Sequence, residues 1–164
     1  MYANILVPVD GSETSTNGLN EAIKIAKSQG STLRLMHVVN ELIFDYTYSP
    51  ELHATNLIES LRKIGQDILD AAADLSQRQG AACETALLEA IGGPAADFIL
   101  EQAAKWPADL IVMGTHGRRG LRRLAMGSDA EQVARGATVP VLLVREATRS
   151  GKINKAASVA GSAA

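Results

Sequence analysis

Between Gly114 and Ser128 the chain reads GTHGRRGLRRLAMGS, directly after an apolar run at 110–113 and directly before a helix-forming stretch. Glycines at 114 and 117 let the backbone turn sharply and approach a ligand closely. Gly127 and Ser128 fall where the next helix starts. Unpaired N–H groups and the helix dipole favour an anion there, and Ser128 adds a hydroxyl. Arg118, Arg119, Arg122 and Arg123 put four cations within six residues; one is expected to pair with phosphate oxygens and three to be solvated. The pattern suits phosphate binding. A glycine-rich surface connection is the bland alternative, and the strand-to-helix setting weighs against it.

Asp10, followed by Gly11 and Ser12, suits a helix cap, and its second carboxylate oxygen could take a ribose hydroxyl. His116, between the loop glycines, is expected to pack beneath the loop. His37 reads as a satisfied core histidine within a strand and His53 as solvated. No His or Cys pair has metal-ligand spacing. Cys83 reads as a small core hydrophobe, because no cation run or helix start adjoins it to lower its pKa.

The elements that must position these residues follow from periodicity. Residues 4–9 (NILVPV) form an apolar run closed by Asp10 and Gly11, a buried strand leading into a helix start. Leu19, Ala22, Ile23 and Ala26 recur at helical spacing until Gly30. Residues 33–39 (LRLMHVV) read as a second strand and 40–49 as a loop. Ser49 and Pro50 look like a helix cap and first helical position, before one long apolar face through Leu57, Leu61, Ile64, Ile68, Ala72 and Leu75. A weaker strand at 83–88, a helix carrying Ala95, Ile99 and Ala103 that Pro107 breaks, the strand at 110–113, a short helix from Ser128 to about Arg135, and the strand at 139–144 (VPVLLV) complete the chain. Strands alternating with helices at this spacing predict an α/β fold, a single open parallel sheet with right-handed crossovers and helices on both faces. In such a sheet ligands bind beyond the carboxyl ends of the strands, where Gly114 sits.

At 164 residues and 46% hydrophobic the chain suits one core. A net charge of -2 gives no overall pull toward nucleic acid or an anionic membrane. The single cysteine, the absence of signal-peptide features in MYANILVPVD and the shortness of every apolar run set the expectation of a cytoplasmic protein that neither enters a membrane nor binds nucleic acid. One domain over 1–146 is expected, with a disordered tail at 147–164 rich in Ala, Ser, Gly and Lys.

The spacing of glycine, two residues, glycine, nine residues, glycine and serine resembles the nucleotide-binding signature of the ATP-binding branch of the universal stress protein family. PVDGS in the first strand, HV in the second and VPVLLV in the last extend the likeness over about 1–145. The resemblance implies five strands in the order 3-2-1-4-5, with a switch point between strands one and four. It implies that Pro8, Val9, Asp10 and Val38 border adenine and ribose, and that Gly114, Gly117, Gly127 and Ser128 hold phosphates. Met113, Arg118 and Asp129 match positions that contribute less uniformly. ATP is the implied ligand, with Mg²⁺ carried on its phosphates. A homodimer is implied through strand five, with Val139 and Val144 at its ends, and an apolar strand last in the order invites the same pairing.

A nucleotide-responsive regulator is therefore the expected function. A P-loop ATPase would carry a lysine before the serine at the helix start, where Met126 and Gly127 stand, and no catalytic base is evident; slow ATP hydrolysis stays open as an alternative. Signalling by a dimer that needs no nucleotide is another. A phosphorylated receiver domain lacks its aspartate after strand three and its lysine after strand five.

Overall fold

Alternate residues of the central strands face opposite layers, which is why these strands read as unbroken apolar runs. Ile5, Val7, Leu33, Leu35, Leu110 and Val112 pack into one core with Leu19, Ile23 and Leu69. Leu6, Met36, Ile111 and Met113 pack into the other with Ile99, Ala103 and Val133. Burying each large side chain contributes about 1.5–3 kcal/mol.

The computed structural model describes residues 1–40, 54–90, 92–117 and 126–145. In order they form β1 (Asn4–Pro8), α1 (Glu13–Gln29), β2 (Thr32–Asn40), α2 (Ala54–Arg78), β3 (Cys83–Ala90), α3 (Ala95–Lys105), β4 (Leu110–Gly114), α4 (Ser128–Gly136) and β5 (Val141–Val144). The sheet runs β3-β2-β1-β4-β5 with every neighbour parallel. α1 and α2 cover one face, α3 and α4 the other. This is the expected fold.

Local chemistry sets the boundaries. Ser12 caps α1 by accepting the Ser15 N–H, and Gly30 ends it in the left-handed conformation at φ 73°. α3 stops at Lys105, just before Pro107. β5 begins at Val141, not at Val139: Pro140 has no N–H to donate, although its carbonyl accepts the Ile111 N–H at 3.0 Å. Asp109 fastens the start of β1 to β4 by accepting the Ala3 and Asn4 N–H groups at 2.7 and 2.9 Å. Those two bonds, the Asn4 bond foremost, hold its carboxyl below the usual aspartate range. The expected loop at 40–49, the helix start at Ser49 and Pro50, His53, Arg118, Arg119, Arg122, Arg123 and the 147–164 tail lie outside the described residues, apart from Asn40, which ends β2. Among the described residues no helix is long and apolar enough to cross a membrane.

Candidate functional site

β1 pairs with β4 only at Ile5↔Leu110 and Leu6↔Ile111. Beyond those rungs the two strands part. The first turn of α1 lies close behind the end of β4: a Cβ on Gly114 would stand 2.8 Å from the Thr14 carbonyl carbon and oxygen, and one on Gly18 3.2 Å from the Gly114 nitrogen. Gly114 is thus required by backbone-to-backbone packing. Neither it nor Gly117 takes a positive φ, so the left-handed turn that glycine permits is not what either residue provides.

The crevice opens into a cavity of about 440 Å³, within the roughly 300–1,000 Å³ of small-molecule sites. Pro8, Val9 and Asp10 after β1, Val38 on β2, Met113 and Gly114 on β4, Gly117, and Gly127, Ser128 and Asp129 at the start of α4 all line it. Ten of the eleven sequence-selected residues therefore meet in one place; Arg118, the eleventh, lies outside the described residues.

The Asp10 carboxylate is oriented by local bonds. Its Oδ1 accepts the Ser12 N–H at 2.9 Å, and the Asp10 N–H is donated to Ser15 Oγ at 3.2 Å. The other oxygen faces Gly117, where a Cβ would lie 2.7 Å from Oδ2. Here a glycine makes room for a carboxylate. Thr14 Oγ1 donates to the His116 carbonyl at 2.6 Å, and the Gly127 N–H to the Thr115 carbonyl at 2.8 Å. The 115–117 segment is thereby tied to the starts of both α1 and α4.

Gly127 is the N-cap of α4 and makes no side-chain cap bond. Having no side chain, it leaves the first amides of the helix without the partner that Ser12 supplies to α1, and Gly127, Ser128, Asp129 and Ala130 all face the cavity. Such an end attracts an anion with about 0.3–1 kcal/mol from the dipole alone. Asp10 and Asp129 are the fully charged side chains among the described lining residues. A polyanion would therefore need backbone N–H groups together with a cation.

The chain matches the model of the universal stress protein family over residues 1–145. It belongs to that family. A universal stress protein of Methanocaldococcus jannaschii, MJ0531, is 37% identical over 147 residues, spanning 89% of this chain and 84% of the relative. Two solved universal stress proteins share the fold. One, in complex with cAMP, has a TM-score of 0.64 at 26% identity and covers 87% of this chain and 97% of its own. The other, from Archaeoglobus fulgidus in complex with dAMP, has a TM-score of 0.62 at 25% identity, covering 87% and 98%.

Sequence reasoning missed several lining residues of this universal stress protein. Leu61 and Ile64 on α2, with Ala95 and Ile99 on α3, wall the cavity from helices that lack any motif. Their signal was available only as apolar positions near the helix starts, which in a parallel sheet sit above the strand ends. His116 is half-buried; its Nδ1 lies 2.9 Å from Thr115 Oγ1, and among the described residues its buried Nε2 has no hydrogen-bond partner. His37 is also half-buried and lines the cavity, bonded to Val9. Cys83 stands at the opposite end of the sheet, its thiol pushed up by burial despite a bond with Ser76. A second groove of about 470 Å³ between α1 and α2 is walled by Leu19, Ile68, Ala72 and Leu75, with Asp67 and Arg78 also lining it, and the α4 amides are not among its described lining.

Proposed function

We propose that this universal stress protein binds ATP in the cavity between β1 and β4 and acts as a nucleotide-responsive regulator. The observation that carries the reading is the start of α4, which opens into the cavity without a side-chain cap, next to a glycine that leaves space beside Asp10. The adenine nucleotides held by two related structures support the base.

In this reading Val9, Val38 and Met113 pack on adenine, Asp10 takes a ribose hydroxyl, Gly117 and Ser128 place backbone N–H groups and a hydroxyl on the phosphates, and Gly127, whose own N–H is held by the Thr115 carbonyl, leaves the α4 amides uncovered. Asp129 and Gly114 complete the wall. Because Asp10 and Asp129 repel phosphate, Mg²⁺ on the phosphates and the Arg118 guanidinium supply the balancing charge. Among the described residues no group of three or more His, Cys, Asp or Glu could hold a metal alone, so the ion would arrive with the nucleotide. We place the protein in the cytoplasm, with a domain over 1–146 and a tail that takes no part in binding. It pairs as a homodimer through β5, whose four residues Val141–Val144 are each partly exposed at the sheet edge.

Equilibrium binding of a fluorescent ATP analogue, with and without Mg²⁺ and with phosphate release followed over hours, tests the reading. Micromolar binding that strengthens with Mg²⁺, with little hydrolysis, is expected. Gly127→Val should abolish the preference for ATP over AMP, because its Cβ would stand 3.3 Å from the Thr115 carbonyl oxygen and 3.5 Å from His116 Cα, and a β-branched side chain there would push the 115–117 segment and the start of α4 apart. Undiminished preference in a folded Gly127→Val protein would remove phosphate from that end.

A further inference from the structure

His37 and Val9 meet in a contact that the loop motif does not involve. β1 ends at Pro8, and the Val9 N–H still donates to the Met36 carbonyl at 2.8 Å, continuing the β1–β2 ladder by one rung. The next acceptor in line, the Val9 carbonyl, is met instead by a side chain, His37 Nδ1, at 2.7 Å. A carbonyl oxygen only accepts, so His37 must carry its proton on Nδ1.

α2 is shaped around this ring. Gly65, fully enclosed within the helix, is a residue that helix interiors disfavour. A Cβ there would stand 2.8 Å from His37 Cδ2, 2.8 Å from Leu87 Cδ1 and 3.3 Å from Val39 Cγ2. Any larger residue would push the imidazole off the carbonyl or lift the helix from the sheet.

We infer that His37 is a positioning residue for the nucleotide: its Nδ1–H clamps the Val9 carbonyl and thereby sets the Val9–Asp10 wall of the cavity, with Gly65 making the room. The inference rests on the nucleotide reading above and extends it to a side chain on β2 that acts through the Val9 carbonyl. Val9 leads directly into Asp10, whose N–H is donated to Ser15 Oγ and whose Oδ1 accepts the Ser12 N–H. Loss of the clamp unties the Val9 carbonyl from β2 and leaves the peptide between Val9 and Asp10 held through its N–H by Ser15, so the adenine and ribose end of the cavity shifts while the α4 amides keep their place. The consequence is specific: adenosine, AMP and ATP weaken by the same factor.

Two side chains separate reach from chemistry. Asn at 37 carries its amide nitrogen where Nδ1 stands, and Gln carries it one bond further. His37→Asn should bind adenosine, AMP and ATP within about threefold of the parent, and His37→Gln and His37→Phe about tenfold more weakly for all three, the scale of one lost hydrogen bond. Melting temperatures of each variant identify any that fails to fold. Long-range ¹H–¹⁵N spectra of the parent at neutral pH should show a protonated Nδ1. An Nε2–H tautomer, or a folded His37→Gln protein with parental affinity, would overturn the clamp. A parent that binds no adenine nucleotide would instead overturn the nucleotide reading, and the spectrum would still report whether the clamp exists.

Discussion

Replacing Gly114 by alanine adds one carbon, and its surroundings decide what that carbon does. The new Cβ would lie 2.8 Å from the Thr14 carbonyl carbon and oxygen and 3.0 Å from the Ser15 nitrogen, all backbone atoms of the first turn of α1. Relief to an ordinary contact of about 3.5 Å requires a displacement of about 0.7 Å. The turn cannot yield freely. Ser12 caps it, Ser15 Oγ receives the Asp10 N–H, and Thr14 Oγ1 holds the His116 carbonyl. Leu19 and Ile23 further along α1 are buried against the sheet. Overpacking of this kind costs about 1–3 kcal/mol, and at about 2–4 °C per kcal/mol for a domain of this size the melting temperature should fall by about 2–12 °C. Thermal unfolding of Gly114→Ala in nucleotide-free buffer is the assay. A melting temperature within 1 °C of the parent, with weakened nucleotide binding, would refute the packing argument and return Gly114 to the role of admitting ligand.

Gly117→Ala should behave in the opposite way. Among the described residues its Cβ meets the Asp10 carboxylate, the end of a side chain, so stability should hold within about 1 kcal/mol while adenine nucleotides bind roughly tenfold more weakly, one hydrogen bond's worth; isothermal titration alongside a melting curve separates the two effects. Asp109 contributes stability only while ionised. Its folded pKa is depressed below the ordinary 3.8 by the Asn4 and Ala3 N–H bonds, so that contribution is complete above 3.8 and lost as the pH falls through the lower folded value. Asp109→Asn should accordingly show a shallower loss of melting temperature on acidification than the parent, and an identical acid profile would count against it. Val141→Lys, placing a charge on the edge strand, should shift a dimer toward monomer in sedimentation; a variant that dimerises as well as the parent would exclude β5 as the interface.

The layered fold was legible because its determinants are local. Short apolar runs marked the strands and period-3.6 faces the helices, Gly30 marked a helix end, and Pro107 marked another. The lining of the cavity was legible in part: the loop spacing singled out Gly114, Gly117, Gly127 and Ser128, and the family resemblance added Pro8, Val9, Asp10 and Val38 from distant strands, all of which line one cavity. What stayed hidden depended on contacts between residues far apart in sequence. Gly114 answers to Thr14, a hundred positions away, and Gly65 to His37; neither pairing has a signature in the neighbouring residues. Pro140 belongs to the run VPVLLV by composition, yet its missing N–H keeps it and Val139 out of β5. Leu61, Ile64, Ala95 and Ile99 read as core positions on their helices and turn out to line a cavity as well.

The location of bound nucleotide tests the central claim most directly. Titration of ¹⁵N-labelled protein with Mg²⁺–ATP, followed by backbone amide shifts, should move Asp10, Val38, Gly117 and the α4 amides of Ser128, Asp129 and Ala130 in one saturable event. Shifts confined to the separate groove between α1 and α2, around Leu19, Ile68 and Leu75, or no shifts at millimolar ATP, would contradict it.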